Sequence, residues 1–225
     1  MIVETLRQSK IFSHLTGDEL KRIAAVFEKV NFKKDDCIFF EGDHSEWFYI
    51  GCKGRIKILK HTVSGKDIIL EIISPGDVFG GVAVLDRKPY PASAQAMEHA
   101  AVIRISRKTL FKIMDEYPAL TLEAVKYFSE RLRNAHNMLR NIATERVENR
   151  IASLLLKLSE KVGVIDGEAK KIDIPLTRQE IAEMVGTTVE TTIRTMSKFK
   201  KQGIIKASQG KIVVNVNTLK EFLED

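Results

Sequence analysis

Apolar and polar residues follow three successive patterns along the chain. In the first, from about Ile11 to Ser106, short apolar stretches alternate with turns that contain glycine or proline, such as Pro75-Gly76-Asp77. The stretches are Trp47–Ile50, Ile56–Leu59, Ile68–Ile73 and Ala101–Ile105. Many short strands at regular spacing are typical of a jelly roll or barrel rather than a βαβ fold. We therefore predict that residues 1–106 form a β-roll with an N-terminal helix.

The second pattern, residues 107–142, repeats apolar residues in alternating steps of three and four. The members of this stripe are Val125, Phe128, Leu132, Ala135, Leu139 and Ile142. Charged residues fill its flanks, as in the seam of a two-stranded coiled coil. A helix lying on its own barrel would give a similar stripe. We predict a long dimerisation helix and hence a homodimer.

The third pattern, residues 143–225, is helical and closes with a hairpin. A capping box from Thr177 to Glu180 predicts a helix start at Thr177, and Gly186 predicts its end. A second helix, starting at Thr187 or Thr188, is expected to turn Ile193, Met196 and Phe199 inward and to end near Gln202-Gly203. The segments Ile204–Ala207 and Ile212–Val216, joined across residues 208–211, would form a two-stranded wing. Together these elements predict an α+β chain ending in a winged helix-turn-helix.

Two residues of the second helix suit the reading of bases in a DNA major groove. Glu190 can accept a hydrogen bond from cytosine N4, and Arg194 can donate two to guanine. An ordinary ion pair between residues four apart is the simpler interpretation, and it is compatible with base reading. Helix starts and the wing would meet phosphates, which fix position rather than sequence. The expected phosphate contacts are Thr177, Arg178, Thr188 and Lys211.

Composition narrows the class of protein. The chain has 225 residues and a formal net charge of +6, which suits a polyanionic partner such as double-stranded DNA. Its N-terminus lacks the apolar core of a signal peptide, and no apolar run could span a bilayer. Two cysteines do not make a disulfide framework. We therefore expect a cytoplasmic protein that does not use a membrane as its partner.

Three segments in order resemble the family of the cAMP receptor protein and the fumarate–nitrate reductase regulator (CRP/FNR). They are FFEGDHSEWFYIGCKGRIKI, SPGDVFG and LTRQEIAEMVGTTVETTIRTMSKFKKQGII. The resemblance implies a cyclic-nucleotide-binding-type β-roll (a double-stranded jelly roll), a dimer helix, a palindromic operator and recruitment of RNA polymerase. By position, Glu190 and Arg194 match the family's base-reading pair. Val189 replaces a third base-reading arginine, so half-sites built around TGA/TCA are expected.

The resemblance also indicates where an effector would bind, and it argues against cAMP. The family's cAMP pocket follows Gly80, with a Glu next in the chain and an Arg-Ser pair further on. Here Gly81, Pro91 and Ala92 occupy those positions. A phosphate buried without an arginine or comparable donors would cost several kcal/mol. Cyclic AMP is therefore not expected, although the same region would form the effector pocket.

The cysteines and histidines leave the signal open. Cys37 and Cys52 are too few for a four-cysteine iron–sulfur cluster within one subunit, and they suit small buried side chains or a thiol redox switch. The segment Tyr90–Ala96 is similar to haem-dependent, nitric-oxide-sensing regulators, and small apolar residues there would leave room in the roll. His136, which matches a position through which the family's long helix reaches the effector, is a candidate effector or haem ligand. His14, placed before the first helix, is a weaker candidate. A small organic ligand, or none, would also fit.

Two other classes of protein were weighed against a transcription regulator. A stand-alone ligand-binding regulatory subunit would have no need of the reading helix at Thr188. An enzyme would need a nucleophile with its base, a metal-binding cluster or a phosphate loop, and Gly80-Gly81 alone makes no such loop. We therefore predict that the chain is not an enzyme and that it responds to a nitrosative, redox or anaerobic signal.

Overall fold

The computed structural model describes residues 1–62, 67–166, 169–172, 174, 176–208 and 211–224. The chain divides into two compact units. The first includes Met1–Thr62 and Ile69–Asn134, and the second takes in the residues from Ala135 onward. The described strands form two sheets in the first unit and one in the second.

The described strands of the first unit form two four-stranded sheets with the orders β1-β8-β3-β6 and β2-β7-β4-β5. The strands are β1 (Glu28–Phe32), β2 (Cys37–Phe39), β3 (Trp47–Lys53), β4 (Ile56–His61), β5 (Asp67–Ile73), β6 (Val78–Phe79), β7 (Ser93–Ala96) and β8 (Ala100–Ser106). The apolar stretches predicted as strands lie in β3, β4, β5 and β8. The α+β class and the double-sheet roll are confirmed.

The two central strands of the first of these sheets, β3 and β8, are buried on both faces. Side chains alternate along β3, so Phe48 and Ile50 lie in one apolar cluster while Tyr49 lies in the other. The Phe48 cluster includes helical residues, and the Tyr49 cluster fills the space between the two sheets of the roll. Burial on both faces explains why β3 is a continuous apolar run rather than an alternating one.

The helices that complete the first unit precede, interrupt and follow the roll. They are α1 (Ile2–Gln8), α2 (Gly17–Ala24), α3 (Gly81–Asp86), α4 (Arg107–Glu116) and α5 (Pro118–Thr144), the last of which continues into the second unit. The segment 107–142 is therefore two helices rather than one. The break falls at Tyr117, whose backbone is non-helical (φ −125°, ψ 77°) because a residue before proline is disfavoured in the α region.

Helix α5 is attached to the roll through the short strand β6. Tyr127 is buried, its hydroxyl accepts a hydrogen bond from the Val78 N–H at 3.1 Å, and it donates one to the Val78 carbonyl at 3.3 Å. Arg131 Nη1 donates to the same carbonyl at 2.7 Å, and Arg131 also pairs with Glu71 of β5. These bonds hold β6 and β5 on one face of the helix.

The second unit combines helices with a sheet of the order β11-β12-β10-β9 in the part of the chain described. Its elements are α6 (Val147–Val162), β9 (Gly163–Asp166), β10 (Ala169–Ile172), α7 (Arg178–Val185), α8 (Val189–Lys201), β11 (Ile205–Ser208), β12 (Lys211–Val214) and α9 (Val216–Glu224). The predicted wing strands correspond to β11 and β12, but the second was predicted to extend to Val216, which instead begins α9. Their connection, Gln209-Gly210, lies outside the described residues. The wing is wider than predicted because the hairpin β9–β10 pairs with β12. A helix, not a hairpin, ends the unit.

No described helix combines the length and the apolar character that a membrane crossing requires. The longest, α5, carries charged residues throughout.

We predict that Tyr127→Phe destabilises the first unit by about 1–3 kcal/mol, because the buried Val78 N–H loses its hydrogen-bond partner. Urea unfolding followed by fluorescence measures this, since Trp47, the single tryptophan, lies in the roll. Tyr117→Phe is the control, because its hydroxyl makes no bond to Val78, and it should change stability by less than about 0.5 kcal/mol. Equal effects of the two variants would show that the Val78 bonds do not hold the helix.

Candidate nucleic-acid interface and effector site

The first helix of the helix-turn-helix begins at a capping box, as predicted. Thr177 Oγ1 accepts a hydrogen bond from the Glu180 N–H at 3.1 Å, and Glu180 Oε2 accepts one from the Thr177 N–H at 2.8 Å. The helix ends at Gly186, whose φ of +67° lies in the left-handed region that glycine adopts without strain. Both ends of α7 are therefore set by local sequence.

The second helix, α8, begins at the second of its two predicted starts. Thr188 is its N-cap, and its Oγ1 accepts a hydrogen bond from the Thr191 N–H at 3.2 Å. The helix ends at Lys201, next to the predicted Gln202-Gly203. Glu190 and Arg194 are both exposed on α8, four residues apart and hence on the same face. Val189, at the first helical position, is half-buried.

The expectation that Ile193 points inward is wrong. The inward positions of α8 belong to Thr192, Thr195, Met196 and Phe199, which are buried, whereas Ile193 is 49% exposed. Thr192 can occupy an apolar interior because its hydroxyl donates to the Thr188 carbonyl at 3.1 Å. An inward threonine beside an outward isoleucine reverses the usual order, so hydrophobicity alone misassigned the face.

A cleft of about 350 Å³ joins most of the predicted phosphate contacts. Its lining includes Thr177 and Arg178 at the start of α7, Lys200 of α8, and Lys206 and Lys211 of the wing strands. Burial lowers the pKa of the Arg178 guanidinium from its ordinary value. Cationic side chains around one cleft favour an anionic ligand such as a phosphate. Thr188 does not line this cleft; it caps α8.

Arg150 was not among the sequence-predicted site residues. It lies on α6, and its Nη1 donates to the Ile142 carbonyl near the end of α5 at 3.1 Å, while Nη2 lies 3.5 Å from the Gly186 carbonyl. It therefore connects the end of the long helix to the turn of the helix-turn-helix. On the same helix, Glu148 pairs with Lys198 of α8 at 2.8 Å. Nothing in the local sequence around Arg150 indicated these partners, because they are carbonyls of distant residues.

The apolar stripe of α5 is largely exposed in the isolated chain. Five members have exposed side chains, namely Val125, Leu132, Ala135, Leu139 and Ile142. Phe128 differs, since it packs partly against the helix-side core of the first unit. Leu122, which the heptad did not include, is also exposed. The residues that α5 buries on its own roll, such as Leu120 and Tyr127, lie on another face of the helix. One face of α5 therefore packs on the roll, and a second face carries most of the exposed stripe.

The predicted effector pocket is closely packed. Gly81 is buried, and a Cβ added there would lie 3.0 Å from the Phe48 ring and 3.0 Å from the Phe128 ring. A Cβ added at Gly80 would meet the Tyr90 ring at 3.1 Å. Ala92 is buried as well, whereas Pro91 is exposed. A side chain at Gly80 or Gly81 would therefore require a neighbouring ring to shift.

Aromatic rings occupy the interior of the roll beside Gly80. Phe39 and Tyr90 stack with centroids 3.8 Å apart, and Tyr49 stacks on Phe79 at 5.1 Å. The Tyr90 hydroxyl donates to the Trp47 carbonyl at 2.7 Å, and burial raises the pKa of Tyr90 well above its ordinary value. The small residues of β7 were expected to leave room here. In this structure the buried alanines of β7 share one apolar cluster with the rings of Phe39, Tyr49, Phe79 and Tyr90.

The histidines do not fit a haem inside the roll. All five (His14, His44, His61, His99 and His136) have exposed side chains in the isolated chain, whereas a haem in the roll would need an imidazole in its interior. The expectation that His14 precedes the first helix is wrong, since it lies between α1 and α2. Among the described residues, no group of three or more His, Cys, Asp or Glu side chains could hold a metal ion.

Both cysteines lie on strands of the roll. Cys37 begins β2, and Cys52 lies in β3. Both are free thiols of intermediate burial. Burial raises the pKa of the Cys37 thiol, which disfavours the reactive thiolate, and Thr5 Oγ1 donates to Cys52 Sγ at 3.2 Å.

Comparison with known proteins identifies both units. The family model of the cyclic nucleotide-binding domain matches residues 29–117, and that of the Crp-like helix-turn-helix domain matches residues 149–222. The chain is 27% identical to the CRP-like cAMP-activated global transcriptional regulator of Mycobacterium tuberculosis, over 94% of each chain. It is 29% identical to the anaerobic regulatory protein of Bacillus subtilis, over 89% of this chain and 85% of that one.

Among solved structures, FixK2 from Bradyrhizobium japonicum has a similar fold. Its TM-score is 0.78 at 23% identity, covering 87% of this chain and 96% of that chain. The matched proteins are transcription regulators rather than enzymes, in agreement with the absence of catalytic motifs from the sequence. The two family models together match more than half of the chain, and the chain therefore belongs to the CRP/FNR family of DNA-binding transcription regulators.

Proposed function

We propose that this regulator binds a palindromic operator as a homodimer, with α8 of each subunit in a major groove, in response to a signal other than cAMP. The observation that carries the proposal is the arrangement of the second unit. An exposed helix face with Glu190 and Arg194 stands beside a cleft lined by Arg178, Lys206 and Lys211. A groove-reading helix flanked by cations is what duplex DNA requires.

The two kinds of contact carry different information. Glu190 would accept from cytosine N4 and Arg194 would donate to guanine O6 and N7, so this pair reads sequence. The cleft cations would bind phosphates and fix the position of α8 without reading bases. Val189 offers no hydrogen bond, so the base preceding TGA would be left unread by it. Two-fold symmetry would place half-sites about one helical turn apart, roughly 10 bp, or a multiple of that.

We predict that Arg194→Ala weakens binding to a TGA/TCA operator by about 1–3 kcal/mol per half-site and removes the preference for guanine. Lys211→Ala is the comparison variant, because loss of a phosphate contact weakens binding to all sequences alike and reduces the salt slope by about 1. Fluorescence anisotropy over a range of salt concentrations measures both. If Arg194→Ala kept full discrimination, α8 would not be the reading helix.

The exposed stripe of α5 supports the homodimer. Exposed leucine, valine and isoleucine side chains in coiled-coil spacing gain stability when they are buried against a second copy. Members of this family bind DNA as dimers and contact RNA polymerase, and we extend both partners to this chain as proposals. The dimer would place two copies of α8 on successive half-sites.

We predict that Leu132→Glu dissociates the dimer, because a carboxylate would be buried at the centre of the seam. Sedimentation velocity at micromolar concentration should then show a monomer, and affinity for a full operator should fall to that for a half-site. Val26→Glu, which alters another exposed apolar residue, is the matched control and should remain dimeric. A dimeric Leu132→Glu protein would place the interface elsewhere.

The packing of the roll supports a signal other than cAMP. The positions that the family uses for the ribose and the phosphate hold Gly81, Pro91 and Ala92, and the rings of Phe39 and Tyr90 occupy the adjacent interior. The names of relatives do not decide the question, since one is cAMP-activated and another is an anaerobic regulator. A nitrosative, redox or anaerobic signal is therefore our proposal, with a small organic ligand as the second candidate.

We predict that cAMP up to millimolar concentration leaves operator affinity unchanged, and that haemin gives no stoichiometric Soret band. The physical reasons are the filled roll and the exposed imidazoles. Calorimetry measures the binding of cAMP, anisotropy measures operator affinity, and absorption spectroscopy detects a Soret band. His136→Ala and His99→Ala serve as paired variants: a band that responds to nitric oxide and is lost only in His136→Ala would contradict the prediction and assign haem to His136. A micromolar cAMP affinity with tighter operator binding would overturn the exclusion of cAMP.

A further inference from the structure

Ile193 is an apolar side chain on the outer face of the reading helix. It is 49% exposed and lies three residues after Glu190 and one before Arg194, both of which are exposed. Residues three apart on a helix share a face. At 1.5 Å rise per residue, Ile193 stands about 4.5 Å along the helix axis from Glu190. Any groove that Glu190 and Arg194 enter therefore also receives Ile193.

Packing within the second unit does not explain this orientation. The adjacent Thr192 is fully buried, and its hydroxyl bonds the Thr188 carbonyl, while Met196 and Phe199 fill the neighbouring inward positions. An isoleucine side chain that stays in water does not gain the free energy of burying its apolar surface. A polar residue at this position would not have that disadvantage. The apolar surface of Ile193 is thus available for a partner that covers it.

The chemistry of the major groove limits what Ile193 can read. Its side chain has no donor or acceptor, so it forms no hydrogen bond to a phosphate or a base edge. The apolar group that a base pair presents in the major groove is the C5-methyl of thymine. We propose that Ile193 packs on a thymine methyl in each half-site and so adds a preference for thymine beside the base pairs read by Glu190 and Arg194. This inference rests on the proposed function, in which α8 enters the major groove.

The test uses deoxyuridine, which pairs as thymidine does but lacks the methyl group. An operator selected by the wild-type protein from random DNA is remade with deoxyuridine at each thymine in turn, and the Kd values are measured by anisotropy at one salt concentration. We expect one thymine position in each half-site at which the substitution weakens binding about fourfold, the value of one buried methyl group. Substitution in both half-sites should weaken it about 15-fold, since distant sites add.

The variants assign the effect to the side chain. Ile193→Ala and Ile193→Ser should bind the thymine operator more weakly and should not distinguish it from the deoxyuridine operator. Ile165→Ala, which trims another exposed isoleucine of the same unit, should keep the wild-type difference. Both positions are exposed, so the variants should remain folded, and an unfolding curve checks this.

The outcomes separate this inference from the proposed function. Sequence-specific binding with no thymine–deoxyuridine difference at any position would overturn the reading by Ile193 and leave the function standing. A difference that persists in Ile193→Ala would assign the methyl contact to another residue. Absence of sequence-specific binding by the wild-type protein would overturn the proposed function itself. Unchanged operator affinity in Ile193→Ala would overturn the thymine contact and indicate that Ile193 contacts a protein partner instead.

Discussion

Burial of the central strands β3 and β8 on both faces of the sheet β1-β8-β3-β6 is the constraint on which the first unit depends. Alternating side chains of β3 and β8 serve two cores at once: Phe48 and Ile103 join the helices, and Tyr49 and Val102 join the interior of the roll. A change in the packing of either core therefore displaces the sheet that both cores share and so reaches the other core, because protein interiors are close-packed and transmit displacement. The edge strand of this sheet, β6, is also the strand that Tyr127 and Arg131 hold.

This arrangement gives the roll a short physical route to α5. Strand β6 leads directly into Gly80 and Gly81, the positions at which the resemblance places the effector pocket. The first residue of this strand, Val78, is hydrogen-bonded to α5. A displacement at Gly80 would therefore reach α5 within two residues of chain. Coupling of this kind can shift a population only by the differential affinity of whatever binds, so the chemistry of the signal sets its size.

Local signals allowed several elements and part of the site to be predicted. The capping box at Thr177 and the stop at Gly186 depend on neighbouring residues and were placed correctly, and the N-cap at Thr188 was one of the two helix starts left open. The hairpin β9–β10 and the strand β1 were missed because charged or polar residues interrupt their short apolar runs, and because β10 and β1 pair with the distant strands β12 and β8. Helix α9 was missed because its packing depends on Phe199, whose ring lies 5.1 Å from Phe222.

The orientation of side chains was harder to predict than the helices that carry them. Ile193 was assigned inward by its hydrophobicity, and no sequence pattern shows that a buried hydroxyl at Thr192 is satisfied by a backbone carbonyl. The contents of the roll were misjudged for a related reason. Ala94 and Ala96 are small, but they share a buried cluster with Phe39 and Tyr49, whose rings come from parts of the chain that are remote in sequence. Three-dimensional partners decide such positions.

The crowding around Gly81 has a consequence for how this protein could change over generations. A Cβ at Gly81 would lie 3.0 Å from the rings of Phe48 and of Phe128, so a longer side chain there requires at least one ring to shift. Phe48 belongs to a buried core, so truncating its ring to make that room would destabilise the first unit. The residue at position 81 is therefore coupled to its two aromatic neighbours: a larger residue there is expected to appear together with a smaller one at Phe48 or Phe128.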